Sequence, residues 1–292
     1  MNNAPAMNKK ALMLLVNTYR HKGLIGLTSD LQTLEDKLTL IPSQHKSNTW
    51  LYNIKKFKAF TSDGITSDHT NLPFTLFNKN GNKKLPFYTF SSLPLFTCNG
   101  AFECAKFCYS LKAWRYPSAF FRQFMSFILM IERKDIIADA FQTIKTGADL
   151  RLYVDGDFSS VEDLQFWFDQ LKTRPDIQSY GYSKSWNYFL EYKGDFPDNY
   201  RLNLSSGSRY THLKPLMELL PCTRGEFIAV PSKVKQTSTN WKEYANEVRQ
   251  SAKNQGYNKV FVCPSVCGSC TGKGHACGLM ALKNVAIAIG IH

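Results

Sequence analysis

No stretch of this chain approaches the ~20 consecutive apolar residues that a membrane-crossing helix needs, so a helical span is excluded at the outset. The nearest run, Ala11-Leu12-Met13-Leu14-Leu15-Val16 after Lys9 and Lys10, is short and lacks a small-residue cleavage site, so it does not read as a signal peptide. Acidic residues are scarce: 23 Asp and Glu face 36 Lys and Arg, a net charge of +13. That field attracts phosphate-rich polyanions over a Debye length of ~8 Å, which makes nucleic acid an expected partner. Histidines number six, and no metal-binding histidine pair accompanies the tyrosines, which argues against a strand-cutting nickase. With 43% hydrophobic and 14% aromatic residues, disorder is excluded, and 292 residues can bury one large core or two modest ones. We expect a cytoplasmic protein, and in that compartment clustered cysteines bind metals or do redox chemistry more often than they form disulfides.

Two textures divide the chain. Residues 1–85 are basic, with helical apolar spacing at Leu12, Leu15 and Val16 and again at Leu31, Leu34 and Leu38, and Thr28-Ser29-Asp30 is placed to cap the second helix. Lys55, Lys56 and Lys58 alternate with Trp50, Tyr52, Phe57 and Phe60, which suits either a basic aromatic surface for nucleic acid or a core edge beside solvated lysines. Asn80-Gly81 marks a turn near the boundary. Residues 86–292 repeat strand, loop and helix, with strands expected at 87–90, 150–154, 179–182, 200–204, 226–230 and 259–262. Helices are expected over 117–145, from Ser160 with a capping box to Asp163, and over 187–192, 212–220 and 241–255. Parallel neighbours need crossover connections, so the fold class is α/β: a partial (β/α)6-type barrel or an open parallel sheet, with a mostly helical N-terminal extension.

Seven of the eight cysteines fall in two tight groups. Cys98, Cys104 and Cys108 follow the first strand as C-x5-C-x3-C, three soft ligands that leave a fourth metal position open. Cys263, Cys267, Cys270 and Cys277 follow the last expected strand, threaded with Gly268, Gly272, Gly274 and Gly278, and form a complete four-thiolate set for zinc or an iron–sulfur cluster. Cys222 reads as a small buried hydrophobe. The other strand ends carry Asp155-Gly156-Asp157, Ser183-Lys184-Ser185 and Ser205-Ser206-Gly207, and in parallel α/β folds that edge holds the working residues. Asp157 is a candidate acid–base or ligand residue, and Lys184 between two serines suits an anionic group.

Leu93-Pro94 leading into C-x5-C-x3-C-Tyr109, the run Arg151 to Ser159, the segment Tyr180 to Trp186, and Cys263-Pro264 with its later cysteines together resemble the gene product 88 domain family of phages and mobile elements. More distantly the chain resembles radical S-adenosylmethionine enzymes, partial α/β barrels whose first strand-end loop holds a [4Fe–4S] cluster on three cysteines. That resemblance implies Phe107 beside the cluster, Gly156 and Asp157 at the S-adenosylmethionine amino group, Ser183 and Ser205 lining the same pocket, Lys184 and Asp157 as catalytic candidates, and an auxiliary cluster on the second cysteine group. The function it implies is an iron–sulfur enzyme of a phage, plasmid or other mobile element acting on nucleic acid or nucleotides. The alternative is a zinc- or cluster-stabilised nucleic-acid-binding protein in replication or mobilisation, without radical chemistry.

Overall fold

The computed structural model describes residues 7–41, 45–62, 64–65, 68–79, 87–106, 108–237, 239–265, 267, 270–271 and 275–291, the side chains of 45–48 excepted. Asn80-Gly81, Phe107, Gly268, Gly272 and Gly274 lie outside the described residues. Two compact units emerge: one of residues 1–76, 92–94 and 108–143, the other of 77–91, 95–107 and 144–292. Among the described residues no helix is long and apolar enough to cross a membrane.

The first unit is helical. Helix α1 (Lys9–Thr39) starts at Asn8, whose side chain accepts the Ala11 N–H, and it breaks at Gly23, where φ is 63°. The expected second start at Thr28-Ser29-Asp30 is therefore continuous helix; Gly23 supplies the break because it alone pays no Cβ penalty there. Helix α2 (His45–Ser62) buries Trp50, Phe57 and Phe60; Trp50 meets Phe121 of α4 (Pro117–Glu132), and Phe57 meets Phe121, Phe124 and its own neighbour Phe60. Lys58 pairs with Glu35 at 2.7 Å, and Lys56 lies 5.5 Å from the Tyr52 ring centroid. Trp50, Phe57 and Phe60 therefore belong to the core, while Tyr52 stays exposed beside Lys56. The helix expected over 117–145 is two, because Arg133 leaves helical geometry (φ −146°, ψ 62°) before α5 (Lys134–Gln142). A four-residue helix, α3 (Glu103–Lys106), stands within the first cysteine loop of the other unit.

The second unit is an eight-stranded, mostly parallel sheet. In chain order its strands are β1 (Asn78–Lys79), β2 (Tyr88–Thr89), β3 (Asp149–Leu152), β4 (Gln178–Ser183), β5 (Tyr200–Ser205), β6 (Thr223–Pro231), β7 (Val260–Val262) and β8 (Ala286–Ile291). Their spatial order is β1-β2-β3-β4-β5-β6-β8-β7, with only the β1–β2 pair antiparallel. Among the described residues β1 and β7 each have one neighbour, so the sheet is open, not a closed barrel. Strand β8, absent from the sequence reading, inserts between β6 and β7.

Sequential parallel neighbours place their crossover helices on one face. These are α6 (Val161–Thr173), α7 (Trp186–Glu191) and α8 (Lys214–Leu219), and α9 (Trp241–Asn254) covers β6, β8 and β7. Leu150, Leu152, Leu202 and Leu204 are fully or almost fully buried, while Phe168 packs edge-on to Phe189 and tilted on Tyr200. Burial of each such side chain stabilises by about 1.5–3 kcal/mol. The opposite face carries Arg151 paired in register with Tyr180, and Tyr182 with Asn203. Those polar residues mark a face with a second purpose.

Candidate functional site

The first cysteine loop is pinned to the carboxyl ends of three strands. Ala101 bridges Ser208, Phe102 N–H donates to the Gly207 carbonyl, and Arg209 N–H donates to the Gly100 carbonyl. Asn99 donates its side-chain amide to the Ser159 carbonyl and the Tyr188 hydroxyl. Gly100 is required at its position, since a Cβ there would stand 1.9 Å from the Lys184 carbonyl oxygen. The loop segment carrying Cys98 and Cys104 thus lies over the turns that follow β3, β4 and β5. Cys108 belongs to the helical unit.

Beneath the loop sits Asp157, fully buried. Its Oδ2 accepts the Lys184 N–H (2.8 Å) and the Ser185 hydroxyl (3.3 Å), its Oδ1 accepts the Phe158 N–H (2.8 Å), and its own N–H donates to Thr97 Oγ1 (3.1 Å). One residue therefore joins the ends of β3 and β4 through its carboxylate and reaches the residue before Cys98 through its backbone N–H. Burial pushes its pKa up to about 6, against the opposing pull of the Lys184 N–H, Ser183 and Phe158 hydrogen bonds. The turn that delivers it holds Gly156 at φ 84° and Tyr153 at φ 52°. The strained tyrosine is held by its hydroxyl, which donates to the Asp163 carboxylate (2.7 Å) and accepts from Trp167 Nε1 (3.1 Å).

Lys184 turns its side chain away from Asp157, and its ammonium donates to Ser205 Oγ. Gly207 leaves the space beside them, within van der Waals reach of the Lys184 stem and the Cys104 N–H. Ser183 is fully buried, its hydroxyl accepting the Ser185 N–H within its own turn, so it faces the core and not an open pocket. Asp157, Lys184, Ser205 and the Cys98–Cys104 segment are brought together as the strand order implied.

The second cysteine group runs elsewhere. Cys263 continues β7, its N–H donating to the Ala288 carbonyl, but the chain then returns across the polar face of the sheet. There the Tyr182 hydroxyl donates to Cys277 Sγ at 2.6 Å, and Asn203 donates to the Cys277 carbonyl at 3.0 Å. The His275 ring lies tilted on that of Tyr180, their centroids 4.4 Å apart, and burial holds the histidine's pKa below the usual range. Arg224, fully buried, donates to Asn203 Oδ1 (2.7 Å) and to the carbonyls of Leu282, Val285 and Glu226. Arg151 lies 4.6 Å over the Tyr182 ring. Polar residues recurring every second position along β3, β4 and β5 are the sequence signal for this face.

The thiols of this loop are held by hydrogen bonds typical of thiolate ligands. Ser265 N–H donates to Cys263 Sγ (3.4 Å) and Ala276 N–H to Cys270 Sγ (3.3 Å). Burial, with the neighbouring thiols Cys267 and Cys270 adding to it, pushes Cys263 up to about 11; burial pushes Cys277 up to about 12. A cation reverses that balance, because a coordinating thiol ionises outright. The donor set therefore fits a metal in kind, although among the described residues no three Cys, His, Asp or Glu side chains converge to close a metal site. Cys222 is buried as expected, and burial pushes its thiol up to about 12.

No curated protein and no solved structure matches the chain. A family model described as gene product 88 does match, over residues 63–282, a span that takes in both cysteine loops, the Asp157 turn and the Lys184 turn; the chain belongs to the gene product 88 family.

Proposed function

We propose that this chain is an iron–sulfur protein of radical S-adenosylmethionine-like architecture that acts on nucleic acid or nucleotides in a phage, plasmid or other mobile element. One observation carries the reading: the Cys98–Cys104 segment is fastened over the carboxyl ends of β3, β4 and β5, beside Asp157, Lys184 and Ser205. A bound cluster would supply one-electron chemistry there. The chain's own residues do the rest. Lys184, backed by Ser205, presents a cation to a carboxylate or phosphate, and Gly207 keeps that approach open. Asp157 positions the loop from below. The second loop contributes Cys263, Cys267, Cys270 and Cys277 as an auxiliary centre, with Tyr182 donating to Cys277.

A second reading has its own observation. The four-cysteine loop covers the polar face of the sheet, where a barrel enzyme would keep its substrate, and that placement suits a metal that only stabilises a nucleic-acid-binding protein. Metal analysis and absorbance of anaerobically purified protein separate the two. Iron with a broad band near about 400 nm is expected; zinc without that band would sink the iron–sulfur reading. With iron present, failure of S-adenosylmethionine to bind would remove the radical part alone.

A further inference from the structure

A cleft of about 430 Å3 runs along the free edge of β7, lined by Trp241 and Arg249 of α9, the three residues of β7, and Pro264 and Cys270 beyond it. Among the described residues β7 pairs with β8 on one side only. Lys259 accepts the Ala286 N–H and Cys263 donates to the Ala288 carbonyl, so the residues at 260 and 262 turn their backbone N–H and C=O outward. Trp241 is 37% exposed, whereas Trp50, Trp114, Trp167 and Trp186 are all buried. The Arg249 guanidinium reaches Asn246 at 3.3 Å and makes no ion pair among the described residues. Glu247, the acid nearest to it along the helix, is occupied by the Lys233 and Val234 N–H groups and the Ser232 hydroxyl. Lys242 and Lys253 on α9 and Lys259 ahead of β7 are exposed as well.

We propose that this cleft binds one nucleotide of a single-stranded nucleic acid, the base lying against Trp241, the phosphate on Arg249, and the outward backbone groups of β7 meeting the base edge. It rests on the reading that nucleic acid is the partner, and it adds where the strand is held. An exposed indole beside an unneutralised guanidinium suits a base with its phosphate, the one offering a face to stack on and the other a charge to pair. Duplex DNA hides its base faces, so the cleft selects single strands. A peptide adding to the sheet edge is disfavoured, because β7 offers only two outward residues to pair with.

The test is a titration of the metal-loaded full chain with a short fluorescein-labelled oligo(dT), read by anisotropy and by tryptophan quenching. Binding with quenching of Trp241 is expected, and Trp241→Ala should weaken it about 5- to 150-fold, the equivalent of one lost base stack. Arg249→Gln, at an exposed position that leaves the fold intact, should weaken binding at low salt and lower the salt slope by about 1. If wild type binds while both variants bind equally well, the cleft assignment is overturned and the nucleic-acid reading stands. If wild type binds a duplex of the same length but not the single strand, the cleft assignment is overturned and the nucleic-acid reading stands; if it binds neither, both fall.

Discussion

Replacing Asp157 by Asn keeps its shape and removes its charge, and the structure says what that does to stability across pH. The carboxyl is raised from its ordinary 3.8 to about 6 by burial. Between those values the folded chain holds a proton that the unfolded chain has released. This group's contribution is therefore fully present below about pH 4 and is lost as pH rises through about 6, a change of about 3 kcal/mol at 1.36 kcal/mol per unit. Other carboxylates titrate in the same window, so the informative quantity is the difference between wild type and Asp157→Asn in urea unfolding at several pH values from 4 to 7. The wild-type curve should fall relative to the variant by about 3 kcal/mol over that range. Asp157→Ala should instead lose about 2–5 kcal/mol at every pH, because the Lys184 N–H and the Ser185 hydroxyl are left without their acceptor. Parallel curves for wild type and Asp157→Asn would refute the reasoning, since they would mean that the carboxyl is not buried beneath the loop.

Two further substitutions test the supports of the two cysteine loops. Gly100→Ala puts a methyl group into the Lys184 backbone and should cost about 3 kcal/mol, seen as a lower melting temperature; an unchanged melting temperature would mean that the loop is not clasped there. Arg224→Met removes four hydrogen bonds and strands three carbonyls and the Asn203 oxygen, which should cost about 3 kcal/mol in urea unfolding and speed proteolysis within 279–285, while unchanged values on both counts would remove Arg224 as the anchor of that segment.

Strand positions were legible from short apolar runs bounded by turn residues, and β3 to β6 fall close to where those runs predict them. The strand-end cluster followed from order alone, because parallel strands deliver their following loops to one edge. What failed did so for local reasons. The Ala286–Ile291 alternation is a clear strand signal, but it lies beyond the last cysteine, where the count of six units had already closed. Thr28-Ser29-Asp30 has capping chemistry, yet Asp30 accepts the Thr18 hydroxyl across the Gly23 break instead. Lys55 and Lys58 looked available to phosphate until Glu35, distant in sequence, was placed beside them. Alternation along β3, β4 and β5 signals the polar face of the sheet, but not which residues meet on it: Arg151, Tyr182, Asn203 and Arg224 come from four separate strands, and Arg224 enters at the irregularity where β5 meets β6.

The insertion of β8 between β6 and β7 fixes an order of assembly. β7 is made before β8 yet has no partner until β8 has taken its place, so the sheet cannot grow outward strand by strand in chain order. Residues 263–285 form the loop that must first close, at an entropic cost of about 3 kcal/mol for a flexible segment of that length. The same segment carries four cysteines. Whatever gathers their thiols also shortens the loop, and so the chemistry of the site and the completion of the sheet draw on one event.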